Sequence, residues 1–202
     1  MTGIGRFYPI AGTAEEVERV AALGARFIQL RFKSTDRAHI VEEVSRALAS
    51  CRHYHAQLVV NDHWEVALEQ GASYIHLGQE DLETADLTRI RRGGLKLGVS
   101  THSHEELNKA LAVKPDYVAL GPIWETTLKV MPWKPQGLER VREWATLIDP
   151  LPLVAIGGVT LARCRSCLEA GAHSVAVVSD IFRHSDLEGQ TRKWQQALGE
   201  VS

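Results

Sequence analysis

Two acidic and three basic residues dominate the chemistry that this 202-residue chain can offer. Asp62 follows the run QLVVN (57–61), and Asp81 closes the run YIHLGQED (74–81). Arg31, Lys33 and Lys129 supply cations. Two carboxylates from neighbouring strands can share a hard cation. A small set of oxygen ligands suits Mg2+, which keeps several waters and bridges substrate phosphates. Cations on the same rim then suit a diphosphate, because metal and Lys/Arg groups stabilise the charge that grows as it leaves. Gly157-Gly158 and the backbone before Ser179 suggest a second anion site, where bare N–H groups can approach phosphate oxygens. One site with metal and one without imply two phosphorylated substrates and transfer between them.

These residues meet only if the chain brings strand ends together. The apolar runs RFYPI (6–10), FIQLR (27–31), QLVVN (57–61), YIHLG (74–78), KLGVS (96–100), YVALG (117–121), LVAIG (153–157) and SVAVVS (174–179) read as strands. Segments with helical apolar spacing separate them, EEVERVAAL and HIVEEVSRALASC among them. Such alternation predicts parallel β-structure buried on both faces, and hence an α/β fold: a (β/α)8 TIM barrel forming one domain over residues 1–202. An open doubly wound sheet fits less well, since YPIAGTAEE after the first strand is not G-x-G-x-x-G. Thr13 with Glu16, and Ser103 with Glu106, have capping-box spacing. The pairs Gly24-Ala25, Gly71-Ala72 and Gly171-Ala172 place glycine where a helix must stop. The one long connection, 122–137, follows the sixth strand.

A barrel puts chemistry at the C-terminal strand ends. Read in order, those ends carry Gln29, Arg31 and Lys33; Asn61 and Asp62; His76, Gln79, Glu80 and Asp81; Ser100 and His102; Thr126, Thr127 and Lys129; Gly157-Gly158; and Ser179-Asp180. Each has an ordinary alternative. The cations can be solvated rim charges, either aspartate can cap a helix, and His76 can be an inward core histidine. Those alternatives must together explain polar groups at nearly every strand end.

Composition narrows the classes. The net charge of −2 and pI near 6.5 give no sign of a nucleic-acid or acidic-membrane surface. No apolar run approaches the roughly 20 residues of a membrane helix, and MTGIGRFYPI lacks a signal core. A soluble, cytoplasmic protein is expected, and the sequence leaves a homodimer open. Cys164 and Cys167 match C-x-x-C but lie in a helix-like stretch with no second cysteine pair to complete a zinc shell. His53, His55, His63, His102 and His104 fall mostly in helical or loop stretches on different units.

At these residues the sequence resembles the thiamine-phosphate synthase family over nearly its whole length. QLRFK (29–33), NDHWEVALEQGA (61–72), HLGQED (76–81), GVSTH (98–102), AIGGV (155–159) and VVS (177–179) match family motifs in order. The resemblance implies a TIM barrel and a Mg2+-dependent transferase. It would join hydroxymethylpyrimidine diphosphate to thiazole phosphate, diphosphate departing before the thiazole nitrogen attacks. It also implies Asp62 and Asp81 as Mg2+ ligands. Gln29, Leu30, Arg31, Phe32, Lys33, Asn61, His76, Ser100 and Lys129 would hold the pyrimidine diphosphate, with Arg31, Lys33, Ser100 and Lys129 catalytic. Thr126, Thr127, Leu128, Gly158, Val178 and Ser179 would line the thiazole phosphate site. Leu128 departs from the family's T-x-T-K, and one lost hydrogen bond to a charged group costs about 1.5–3 kcal/mol. Asp180 adds negative charge near the phosphate. Two rivals share the barrel: a thiazole tautomerase relying on His102, and a non-catalytic thiamine-phosphate-binding module.

Overall fold

The computed structural model describes residues 3–126 and 133–200. Eight parallel strands close into a barrel in chain order: β1 (Phe7–Ala11), β2 (Phe27–Leu30), β3 (Gln57–Asn61), β4 (Tyr74–Leu77), β5 (Lys96–Thr101), β6 (Tyr117–Leu120), β7 (Leu153–Ala155) and β8 (Ser174–Val177). Register closes the ring, with Tyr8 beside Ala176 and Ile10 beside Gln29. The outer layer comprises α1 (Ala14–Ala22), α2 (Arg37–His53), α3 (Trp64–Glu69), α4 (Gln79–Thr84), α5 (Leu87–Arg92), α6 (His104–Ala112), α7 (Gly137–Leu147), α8 (Cys164–Glu169), α9 (Ser179–Phe182) and α10 (Leu187–Leu198).

Side chains alternate across each strand, so every second residue enters the barrel. Tyr8, Ile10, Phe27, Val59, Tyr74, Tyr117, Ala119, Val154 and Ala176 form the inner core. Their neighbours Ile28, Leu30, Val60, Ile75, Leu77, Val99, Leu120 and Val175 pack outward with Val17, Val44, Leu107, Trp144 and Trp194. Gly98 is an inward position without a side chain because the Tyr117 ring occupies its space; a Cβ there would overlap that ring. Followed upward, the inward rows lead to the mouth: Phe27 to Gln29 to Arg31, Val59 to Asn61, Tyr74 to His76, and Gly98 to Ser100.

The expected caps form. Thr13 Oγ1 accepts from Glu16 N at 3.2 Å, and Ser103 Oγ from Glu106 N at 3.2 Å. Both glutamates reach back one residue beyond the cap, to Gly12 N at 2.6 Å and His102 N at 2.7 Å. Gly24 and Gly171 end their turns at φ 98° and 102°, a region open mainly to glycine. Strands 2, 4, 6, 7 and 8 end earlier than expected, at Leu30, Leu77, Leu120, Ala155 and Val177; after strand 4 Gly78 caps α4, and after strand 7 Gly157 turns at φ 92°. Cys164 and Cys167 are buried, unpaired residues of α8, and burial pushes the Cys167 thiol up to about 12. Among the described residues no helix is long and apolar enough to cross a membrane.

Candidate active site

Asp62 directly follows β3 in a left-handed conformation, φ 62°. Its N–H donates to the His76 carbonyl at 3.0 Å, continuing the β3–β4 ladder beyond the strand. Asp81 sits in the first turn of α4, just above β4. Neither aspartate caps a helix: His63 and Gly78 hold those positions. The two carboxyl groups lie close enough to act on each other. Burial pushes the Asp62 carboxyl from its ordinary 3.8 up to about 6, the neighbouring Asp81 carboxyl adds to this, and Arg31 and His63 oppose it. Two half-buried carboxylates in contact can coexist by sharing a proton or a cation. Among the described residues no group of three or more His, Cys, Asp or Glu converges as a metal cage.

An acid raised in the folded state holds more protons there than in the unfolded chain, so stability falls as pH rises between the two values. Without metal the fold should therefore lose stability from pH 3.8 to about 6 through Asp62, the loss being complete above that range. Asp62→Asn should remove this segment of the profile. Melting curves in chelator check it, and identical pH profiles for the two proteins would contradict the shared-proton geometry.

Beneath the mouth runs a string of polar side chains. Gln29 Nε2 donates to Tyr8 Oη at 2.7 Å, and the Tyr8 and Tyr117 hydroxyls are 2.8 Å apart. Tyr117 Oη lies 2.9 Å from His76 Nδ1, and His76 Nε2 lies 2.7 Å from Ser100 Oγ. Gln79 Nε2 donates to the Ser100 carbonyl at 2.7 Å. Burial, with the Arg31 charge behind it, lowers His76 to about 4, so the ring is neutral at physiological pH. Arg31 thus acts electrostatically on both Asp62 and His76.

On the opposite rim Gly158 adopts φ 66°. A Cβ there would meet the Glu125 carbonyl at 2.5 Å and the Trp124 carbonyl at 2.7 Å, so only glycine lets the two loops touch. Trp124 N donates to the Gly157 carbonyl at 3.0 Å. Arg163 Nη1 donates to the Gly158 carbonyl at 2.9 Å while its guanidinium lies 5.1 Å from the Trp124 ring centroid. Val178 turns the chain from β8 into the short α9 that begins at Ser179. Among the described residues the Gly158 and Ser179 N–H groups have no backbone acceptor. The connection 122–137 is stapled at its base: Gln136 N and Gly137 N donate to the Pro122 and Ile123 carbonyls at 2.8 and 3.0 Å.

The structure thus gathers Gln29, Arg31, Asn61, Asp62, His76, Asp81 and Ser100 over one half of the mouth and Thr126, Gly158, Val178 and Ser179 over the other. Lys33 is exposed on the β2–α2 loop. Thr127, Leu128 and Lys129 lie outside the described residues. Leu30 faces the outer layer, fully buried, so it can offer substrate only its backbone; Phe32 is half-buried and packs against that layer. Asp180 corrects the expectation of added charge at the phosphate. Its Oδ2 accepts from Leu161 N at 3.1 Å, Gln190 Nε2 at 2.9 Å and Trp194 Nε1 at 2.7 Å, tying α9 to α10. Sequence reasoning missed Tyr8 and Tyr117; their inward register between polar rows was the available signal.

Residues 7–181 match the family described as thiamine monophosphate synthase. A thiamine-phosphate synthase of Rhizobium etli is 52% identical over 191 residues, covering 95% of this chain and 94% of its own. One from Neisseria meningitidis is 44% identical over 190 residues, covering 94% and 93%. A solved thiamine phosphate pyrophosphorylase from Pyrococcus furiosus superposes with a TM-score of 0.85 at 27% identity, covering 96% of both chains.

Proposed function

The chain belongs to the thiamine monophosphate synthase family and acts as a thiamine-phosphate synthase; we propose that the reaction runs at the barrel mouth, between the Asp62–Asp81 pair and the Gly158–Ser179 rim. The pyrimidinylmethyl group passes from its diphosphate to the ring nitrogen of thiazole phosphate. The C–O bond to diphosphate breaks, and the nitrogen lone pair forms the new C–N bond. That nitrogen has no proton to lose, so the site needs no strong base. Positioning and anion stabilisation carry the rate.

The observation behind this reading is the contact of Asp62 and Asp81 within the influence of Arg31. The donor set fits Mg2+: two hard oxygen groups that otherwise share a proton leave room for water and phosphate ligands. Bound there, Mg2+ would neutralise charge gathering on the departing diphosphate. Arg31, Lys33 and, on sequence pattern alone, Lys129 add cations to the same leaving group. Asn61 and Ser100 orient the pyrimidine diphosphate, and Gln29 and His76 support the floor beneath it. The N–H groups of Gly158 and Ser179, with Val178 and Thr126, receive the thiazole phosphate. Leu128 would offer no hydroxyl there, and Thr127, its neighbour in sequence, carries one. Charged phosphorylated substrates of this kind point to the cytoplasm as the place of work.

One assay with purified protein tests the whole reading. Both substrates with Mg2+ should yield thiamine phosphate and diphosphate, and chelator should stop it. Retention of added product without its formation would mark a binding module. Turnover of a thiazole carboxylate phosphate without metal or pyrimidine would mark a tautomerase.

A further inference from the structure

The polar string inside the barrel has a direction. Gln29 Nε2 is a donor to the Tyr8 oxygen. Among the described residues, Tyr8 Oη has hydrogen-bond partners only in Gln29 and Tyr117, so its own proton goes to Tyr117. The Tyr117 proton then has only His76 Nδ1. With Nδ1 accepting, a neutral imidazole carries its proton on Nε2 and donates it to Ser100 Oγ. The Ser100 O–H is left over, and Ser100 is the half-buried member that ends the string at the mouth. The opposite polarity would set the Tyr8 hydroxyl proton against the Gln29 NH2, donor facing donor, in a part of the core that water does not reach. These residues come from five strands, and each link is 2.7–2.9 Å long.

We propose that Tyr8 and Tyr117 are positioning residues that fix the Nε2–H tautomer of His76, so that Ser100 presents its O–H, and not a lone pair, to a phosphate oxygen of the pyrimidine diphosphate. The tautomer follows from Gln29 presenting its Nε2 to Tyr8 at the head of the string; the identity of the acceptor rests on the function proposed above. A departing diphosphate gains negative charge, and an O–H already aimed at it gains strength as that charge develops. A hydroxyl free to rotate would first have to be oriented.

Nitrogen NMR of the protein labelled with 15N-histidine, without metal or substrates, reads the tautomer directly. The His76 resonances are assigned by their loss in His76→Gln. Expected are an unprotonated Nδ1 and a protonated Nε2. Tyr117→Phe should blur that preference and lower kcat about tenfold, the size of effect a single interior hydrogen bond supplies. KM for both substrates should stay within about twofold, because the bond strengthens chiefly in the transition state. A role in packing alone would move the melting temperature and leave the tautomer as it was. A protonated Nδ1 in the unmodified protein overturns the proposal whatever its activity, and whether or not Tyr117→Phe folds. A folded Tyr117→Phe with unchanged tautomer and kcat overturns it as well. The Nε2–H form in a protein that makes no thiamine phosphate would support the string and count against the functional reading instead.

Discussion

Replacing Asp81 by asparagine should lower Mg2+-dependent diphosphate release at least ~100-fold, equivalent to about 2.7 kcal/mol of lost transition-state stabilisation, and leave the barrel folded. The size follows from how few protein ligands the metal would have. Asp62 and Asp81 are the only two carboxylates proposed for it, and an amide oxygen is a weaker ligand than a charged one. The folded state should tolerate the change because the pair is under strain without metal. Burial and the neighbouring Asp81 carboxyl hold the Asp62 carboxyl up at about 6. An asparagine at 81 removes the repelling charge and can donate an amide N–H to Asp62, so no proton is needed between them. The melting temperature of the metal-free variant should therefore equal or exceed that of the parent protein. Diphosphate release measured over a Mg2+ titration, beside thermal melts in chelator, separates the two consequences. Unimpaired turnover at the parent's Mg2+ requirement would show that the metal does not sit between these aspartates.

The alternation of strand and helix was legible because each strand is buried on both faces and reads as an apolar run. The rule that a barrel places its chemistry at the C-terminal strand ends then singled out Arg31, Asn61, His76 and Ser100. What that rule does not specify is partnership across the barrel. The Tyr8–Tyr117 contact joins residues 109 apart in sequence, and nothing local to either tyrosine announces it. The same limit explains Asp180. Its position beside Ser179 suggested charge at a phosphate, whereas its carboxylate is turned toward donors on α10 and at Leu161. Leu30 and Phe32 show the complementary limit. They came with the matched segment QLRFK, yet Leu30 is an outward position and Phe32 packs on the same helical layer. A motif transfers a stretch of chain, while alternation decides which of its side chains reach the cavity. Asp62 departs from regular strand geometry in a way its sequence did not reveal: a left-handed residue at the strand end turns its carboxyl toward Asp81.

Gly158→Ala should raise KM for thiazole phosphate at least ~10-fold and leave KM for the pyrimidine diphosphate within about twofold. Two costs are expected, and they can be separated. The first is conformational: alanine at φ 66° is strained and destabilises by more than about 1 kcal/mol. The second is steric. The new Cβ would lie 2.5 Å from the Glu125 carbonyl oxygen and 2.7 Å from that of Trp124, both main-chain atoms that no rotamer change can remove. The β6–α7 and β7–α8 connections must move apart. Arg163 holds them together through the Gly158 carbonyl and the Trp124 ring, so the shift reaches the whole rim around Thr126. Gly94→Ala is the control. Gly94 has a similar φ of 77° and no atom within 4 Å of its would-be Cβ, and it lies just before β5, at the opposite end of the barrel. That variant should carry the conformational cost alone, a fall in melting temperature of about 2–4 °C per kcal/mol lost, with both KM values unchanged. Should Gly158→Ala and Gly94→Ala lose comparable stability and leave thiazole phosphate binding equally intact, the Gly158 rim would not be the phosphate cradle. A selective rise in one KM in only the first variant would locate the second substrate opposite the aspartate pair, on the side of the mouth where the two loops meet.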